Sequence, residues 1–137
     1  MAKITRRKFV AAATLLPLAA SAASPSFIME TKKEKPKLVH HVFFWLKNPA
    51  STADRDKLLA GVKSLKKIET IKFLHVGVPA STEKRDVVDN SWAVSEMMFF
   101  DNVEDQKIYQ DHPIHQQFIK EHSMLWDKVV VYDVMES

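Results

Sequence analysis

Apolar positions along the chain follow two rhythms, and the changes from one to the other mark out the elements of a single small domain. Leu38 to Lys47 is apolar on both parities: Leu38, Val42, Phe44 and Leu46 with His40 on one, Val39, Phe43 and Trp45 with His41 on the other. Its β-branched and aromatic content predicts a strand covered on both faces. Asn48 to Ser51 reads as a turn, with Ser51 or Thr52 capping a helix. Leu58, Leu59, Val62, Leu65 and Ile68 then recur at helical spacing, while Arg55, Lys57, Lys63, Lys66 and Lys67 fall on a solvated side. Thr70 to Val78 alternates as a second strand, Pro79 to Asn90 is a charged loop, and Ser91 to Phe100 is a third strand. Asn102 to Gln110 and Pro113 to about Leu125 read as two helical pieces, and Trp126 to Met135 as a last strand rich in valine.

The order is β-α-β-β-α-β with the second helix broken at Pro113. It predicts an α+β, ferredoxin-like sandwich: a four-stranded antiparallel sheet with both helices on one face. A domain of this size cannot cover the second sheet face itself, and a bare apolar face marks an interaction surface. Two copies stacked sheet to sheet would close it, so a two-fold homodimer is expected.

Charge changes the picture only once the start of the chain is set apart. Of the 137 residues, 20 are Lys or Arg and 17 Asp or Glu. Thr5-Arg6-Arg7-Lys8-Phe9-Val10 leads into an apolar segment ending near Ala20, too short to span a bilayer, and Ala20-Ser21-Ala22 has the small-x-small form read by signal peptidase. Residues 1–22 are expected to be a twin-arginine-type export signal, placing the mature protein in the periplasm or otherwise outside the cytoplasm, with no stable membrane span after cleavage. They hold Lys3, Arg6, Arg7 and Lys8 and no acid, which leaves 16 basic against 17 acidic residues, a net charge of −1. A nearly neutral remainder lacks the basic footprint of a nucleic-acid binder. Residues 23–36 are polar, with Pro25 and Pro36 near the ends, and read as a linker; 37–137 is the domain. With no cysteine, thiolate chemistry and disulfides play no part.

The chemistry-bearing residues gather in Tyr109-Gln110-Asp111-His112-Pro113-Ile114-His115-Gln116-Gln117-Phe118. Pro113 suits the first turn of a helix and pushes His112 out of helical conformation, so His112 sits at a bend where it caps the helix or faces a ligand. Helical spacing places His115, Ile119 and His122 along one side. His115 is either a helix-bracing histidine bonded to a backbone carbonyl or a ligand-facing group, the general base among its possible roles; Tyr109 is a core aromatic or a donor. Glu96, on an otherwise apolar parity, must be paired, for instance with Lys72, protonated, or lining a cavity. His112, His115 and His122 lack recognised zinc spacing, and His40 and His41 point to opposite faces of a strand, so no metal and no cofactor is expected.

Three stretches together resemble the stress-responsive dimeric α/β-barrel (Dabb) family: His41-Val42-Phe43-Phe44-Trp45-Leu46-Lys47, Tyr109-x-x-His112-Pro113-x-His115-x-x-Phe118, and Trp126-x-x-Val129-Val130-Val131-Tyr132-Asp133. The resemblance covers residues 38–135 and implies a ferredoxin-like sandwich that dimerises into an α/β barrel. A plant member, olivetolic acid cyclase, closes a polyketide by aldol condensation, and its reactive pair falls on Tyr109 and His115. The implied pocket adds His41, if its parity faces the helices, together with His112, Phe118 and Glu96. The third strand lacks the cyclase's pocket histidine, which argues against that substrate. Three functions follow as expectations: a small organic molecule bound between sheet and helices; a cofactor-independent cyclase or lyase acting on a carbonyl compound, with His115 as base and Tyr109 as donor; or a structural dimer without turnover.

Overall fold

The computed structural model describes residues 34–137; the expected export signal and most of the linker lie outside them. Strand β1 (Leu38–Leu46) is followed by α1 (Thr52–Ser64), β2 (Phe73–Gly77), β3 (Val94–Phe100), α2 (Val103–Asp111), α3 (Pro113–His122) and β4 (Trp126–Met135), with single 3-10 turns closing α1 and α3. The sheet runs β2-β3-β1-β4, and every neighbouring pair is antiparallel. This is the ferredoxin-like arrangement expected from the order of elements.

Parity decides which residues meet the helices. In β1, Leu38, His40, Val42, Phe44 and Leu46 are buried against them, whereas Val39, His41, Phe43 and Trp45 are half-buried on the open face. Register extends this to Val94, Glu96, Met98 and Phe100 of β3 and to Val129, Val131 and Asp133 of β4. Leu58, Val62, Leu65 and Ile68 complete the core from α1 and the turn after it. The third strand begins at Val94 rather than Ser91 because a side chain takes over the local hydrogen bonds. Asp89 accepts from the Ser91 amide at 2.9 Å and from its hydroxyl at 2.6 Å, while the Trp92 indole donates to the Asp89 carbonyl at 2.9 Å. Asp89 is held below the usual carboxylate range by those Ser91 hydrogen bonds.

Where α1 meets α3, a glycine faces His122. A Cβ on Gly61 would stand 2.4 Å from Nε2 of His122. The His122 ring is fixed, stacked on Phe118 at 5.0 Å with its Nδ1–H donating to the Phe118 carbonyl at 3.0 Å. Gly61→Ala is therefore expected to destabilise the domain by about 1–3 kcal/mol. Thermal unfolding checks this, and a similar loss in a His122→Ala background would show that the ring is not the cause. The buried side of α3 is His115, Phe118 and His122. Ile119, expected in that row, is 37% exposed and sits at its border, since 3.6 residues per turn carries it past the core.

Candidate functional site

The break at Pro113 assembles the site. Helix α2 ends at Asp111, His112 is extended (φ −65°, ψ 138°), and α3 restarts at Pro113, so the two pieces approach the sheet separately. His112 caps the restart: its Nδ1 accepts the Ile114 amide at 3.1 Å. Of its two expected parts His112 takes the cap, and it is not among the residues that line the cavity described below.

Across the bend, Tyr109 and His115 come together with ring centroids 4.6 Å apart. Along one continuous helix, residues at that separation would lie on different sides. The phenol is 1% exposed, and its oxygen lies 3.4 Å from Oε1 of Glu96, itself 2% exposed; Oε2 of Glu96 has no partner. Lys72 does not reach Glu96; it pairs with Asp101 at 3.2 Å. Desolvation pushes the Glu96 carboxyl up to about 8, only partly opposed by the Tyr109 hydrogen bond. Burial, then the neighbouring Glu96, raises the Tyr109 phenol, so it keeps its proton throughout the physiological range.

His115 faces this pair in a defined tautomer. Its Nδ1 lies 3.0 Å from the Gln110 carbonyl, and a carbonyl can only accept, so Nδ1 carries the hydrogen and Nε2 the lone pair. Burial lowers the imidazole below its ordinary value; the Gln110 hydrogen bond opposes this and His40 adds to it. The ring is thus neutral near pH 7. Both readings of His115 hold part of the geometry: one nitrogen braces the chain, and the other is free.

These residues line a cavity of about 160 Å³ with His40, Val42, Phe44, Phe118, Trp126 and others. Glu96 and Tyr109 form its closed end, whereas Ile119, Val129 and Val131, all more than a third exposed, form its rim against the edge strand β4. The first-strand histidine in the cavity is His40, not His41. His40 is 5% exposed, its ring centroid is 5.6 Å from that of Tyr109, and its Nδ1–H donates to Asp133 Oδ1 at 2.6 Å. His41 lies on the other sheet face, bonded through Nε2 to the Ser95 hydroxyl at 2.8 Å and packed on Phe43. The correction follows from alternation: neighbours in a strand point to opposite faces, and β1 is apolar on both. Phe118 and Glu96 both line the cavity. The dyad of His40 with Asp133 is the part sequence reading missed; the available signal was Asp133, a carboxylate among valines.

Residues 38–136 match the stress-responsive A/B barrel domain, Dabb. The chain belongs to this family. Among solved structures, a Dabb protein of Mesorhizobium loti with a ferredoxin-like fold is 20% identical, with a TM-score of 0.61, covering 75% of this chain and 99% of that one. The hydroxynitrile lyase of Passiflora edulis is 24% identical, with a TM-score of 0.62, covering 75% and 96%. A dimeric protein of unknown function from Bacteroides fragilis is 21% identical, with a TM-score of 0.58, covering 74% and 97%. At these identities the likeness is one of fold, and no curated protein sequence matches significantly. Within the Dabb domain the cavity lies between the sheet and the broken helix, and among its described residues no helix is long and apolar enough to cross a membrane.

Proposed function

We propose that this Dabb protein binds a small organic carbonyl compound, or an adduct that yields one, in the cavity and acts on it by proton transfer, as a cofactor-independent lyase or cyclase. The observation that carries this reading is the tautomer of His115. With Nδ1–H spent on Gln110, the lone pair of Nε2 is available in the cavity beside the Tyr109 phenol. A neutral imidazole can take a proton from carbon next to a carbonyl, and a phenol can donate to the enolate oxygen that forms. The same pair could open a cyanohydrin: Nε2 takes the hydroxyl proton, the C–C bond to cyanide breaks as the carbonyl forms, and cyanide leaves with the proton. A relative of similar fold being a hydroxynitrile lyase supports including this reaction. The first is a proton transfer and the second a C–C cleavage assisted by one, and neither involves an external oxidant or reductant, so neither calls for a redox cofactor. Two probes test the proposal: deuterium uptake at the methyl group of acetophenone in D2O, and release of benzaldehyde from mandelonitrile. Acceleration of either is expected; acceleration of neither would sink the enzymatic reading.

The mature protein is proposed to be an exported homodimer. Phe73, Tyr132 and Val134 are each more than half exposed on the open sheet face, beside half-buried Val39, Phe43, Met97 and Phe99. A second copy is the occupant that suits this face, and the B. fragilis relative of similar fold is dimeric. Native mass spectrometry of protein recovered after export should show two chains, each starting near residue 23. A monomer would count against the sheet-to-sheet pairing, and an intact N-terminus against the cleaved signal.

A further inference from the structure

The Glu96–Tyr109 pair at the closed end of the cavity contains one more hydrogen-bond donor than the protein uses. Among the described residues no Lys or Arg pairs with Glu96, which is 2% exposed and whose one hydrogen bond there is to a phenol. A buried carboxylate so placed is costly, and the neutral acid is the favoured form. A carboxylic acid and a phenol together hold two O–H protons, and the single contact between them, at 3.4 Å, consumes one. If the phenol donates to Oε1, the acid proton sits on Oε2, which has no partner. If the acid donates to the phenol, the phenolic proton is left over instead. Either way one O–H is unspent. Were Glu96 ionised, its one remaining neighbour proton would be consumed and only acceptors would be left.

The rest of the lining narrows what meets that donor. Among the described residues the cavity lining includes no Lys or Arg, so an anionic ligand finds no permanent counter-charge from them. The rim of Ile119, Val129 and Val131 is apolar. Titratable groups facing the pair are His40 from β1 and His115 from α3, with Asp133 of β4 behind His40. We infer that the ligand presents an uncharged oxygen acceptor, a ketone or aldehyde carbonyl on an apolar body, to the Glu96–Tyr109 pair, and that Glu96 is the residue that keeps an O–H there to receive it. This rests on the cavity being the ligand site, as proposed above, and deepens that reading by naming the group that receives the carbonyl oxygen and the charge state of ligand it selects.

Acetophenone, with benzoate as its anionic counterpart, tests the inference by binding rather than turnover. Wild-type protein should bind acetophenone at pH 6.5 and benzoate far more weakly. Acetophenone affinity should fall about tenfold or more by pH 9.5, as the acid proton is lost. Glu96→Gln, whose amide donates at any pH, should bind across this range without the fall, and Glu96→Val should bind weakly throughout. Infrared difference spectra of wild type against Glu96→Gln should show a carboxylic-acid C=O band at pH 6.5 that disappears on the same titration, a readout in the wild-type protein independent of how the valine variant folds. A missing acid band, equal binding of benzoate, a wild-type affinity flat with pH, or no acetophenone binding would each overturn the inference. Binding with this pH dependence but without deuterium exchange or mandelonitrile cleavage would uphold it while removing the enzymatic reading.

Discussion

Replacing His115 with alanine is expected to lower kcat/KM for whichever probe the protein turns over by roughly 10²–10⁴-fold, the range of a positioned general base. The variant should still fold, because it loses one side-chain hydrogen bond, to the Gln110 carbonyl, and one imidazole ring beside an existing cavity. The pH profile of the wild type carries the sharper test. A base must be neutral to act, and burial sets His115 below its ordinary 6.5, so activity should fall only as the pH drops below that value and be unaffected near 7. If the proton of Glu96 is also required, activity should fall again above about 8. The expected profile is a bell whose acid limb belongs to His115 and whose alkaline limb is absent in Glu96→Gln. A His115→Ala protein with undiminished turnover would transfer the role of base to His40, whose Nδ1–H is likewise committed, to Asp133.

Glu96→Gln should raise folding stability, and by more as the pH increases. The sign follows from proton counting. Glu96 has a folded value of about 8 against 4.5 for the free carboxyl, so between these values the folded chain holds a proton that the unfolded chain has released. Wild-type stability therefore declines as pH rises through that window and levels off above about 8. The gap is 8 − 4.5 = 3.5 units, at about 1.4 kcal/mol each, so the whole cost is on the order of 5 kcal/mol, an appreciable share of a small domain's stability. Glutamine has no proton to lose and can still meet Tyr109. Urea unfolding of both proteins at pH 5, 7 and 9 would show their stabilities diverging; parallel curves would mean that Glu96 is ionised in the folded protein at neutral pH.

Most of the fold was legible because element order and apolar period agree. Val62, Leu65 and Ile68 read as helix core and are buried, and Pro113 marked the break that became the centre of the site. What could not be read was facing. With β1 apolar on both sides, a shift of one residue exchanges His40 for His41, and only its neighbours in space, Tyr109 and Asp133, separate the two. The meeting of Tyr109 with His115 was beyond sequence for a related reason: the angle at a helix break is fixed by packing, here by His112 capping α3 and Phe118 entering the core. Glu96 was legible as an anomaly, a carboxylate in an apolar row, though not as the partner of a particular phenol.

Gly61 gives the site a dependence on a residue that does not line it. Helix α3 carries His115 and, two turns on, the His122 ring whose position requires the missing Cβ of Gly61. A side chain at 61 that the domain survives must displace that ring, and whatever part of the displacement passes to α3 would reach His115 through the helix. Homologous chains bearing a larger residue at this position would then differ in rate or ligand preference while keeping every cavity residue identical. For this domain, comparing only the residues that surround the ligand would miss one of the places where activity can be adjusted.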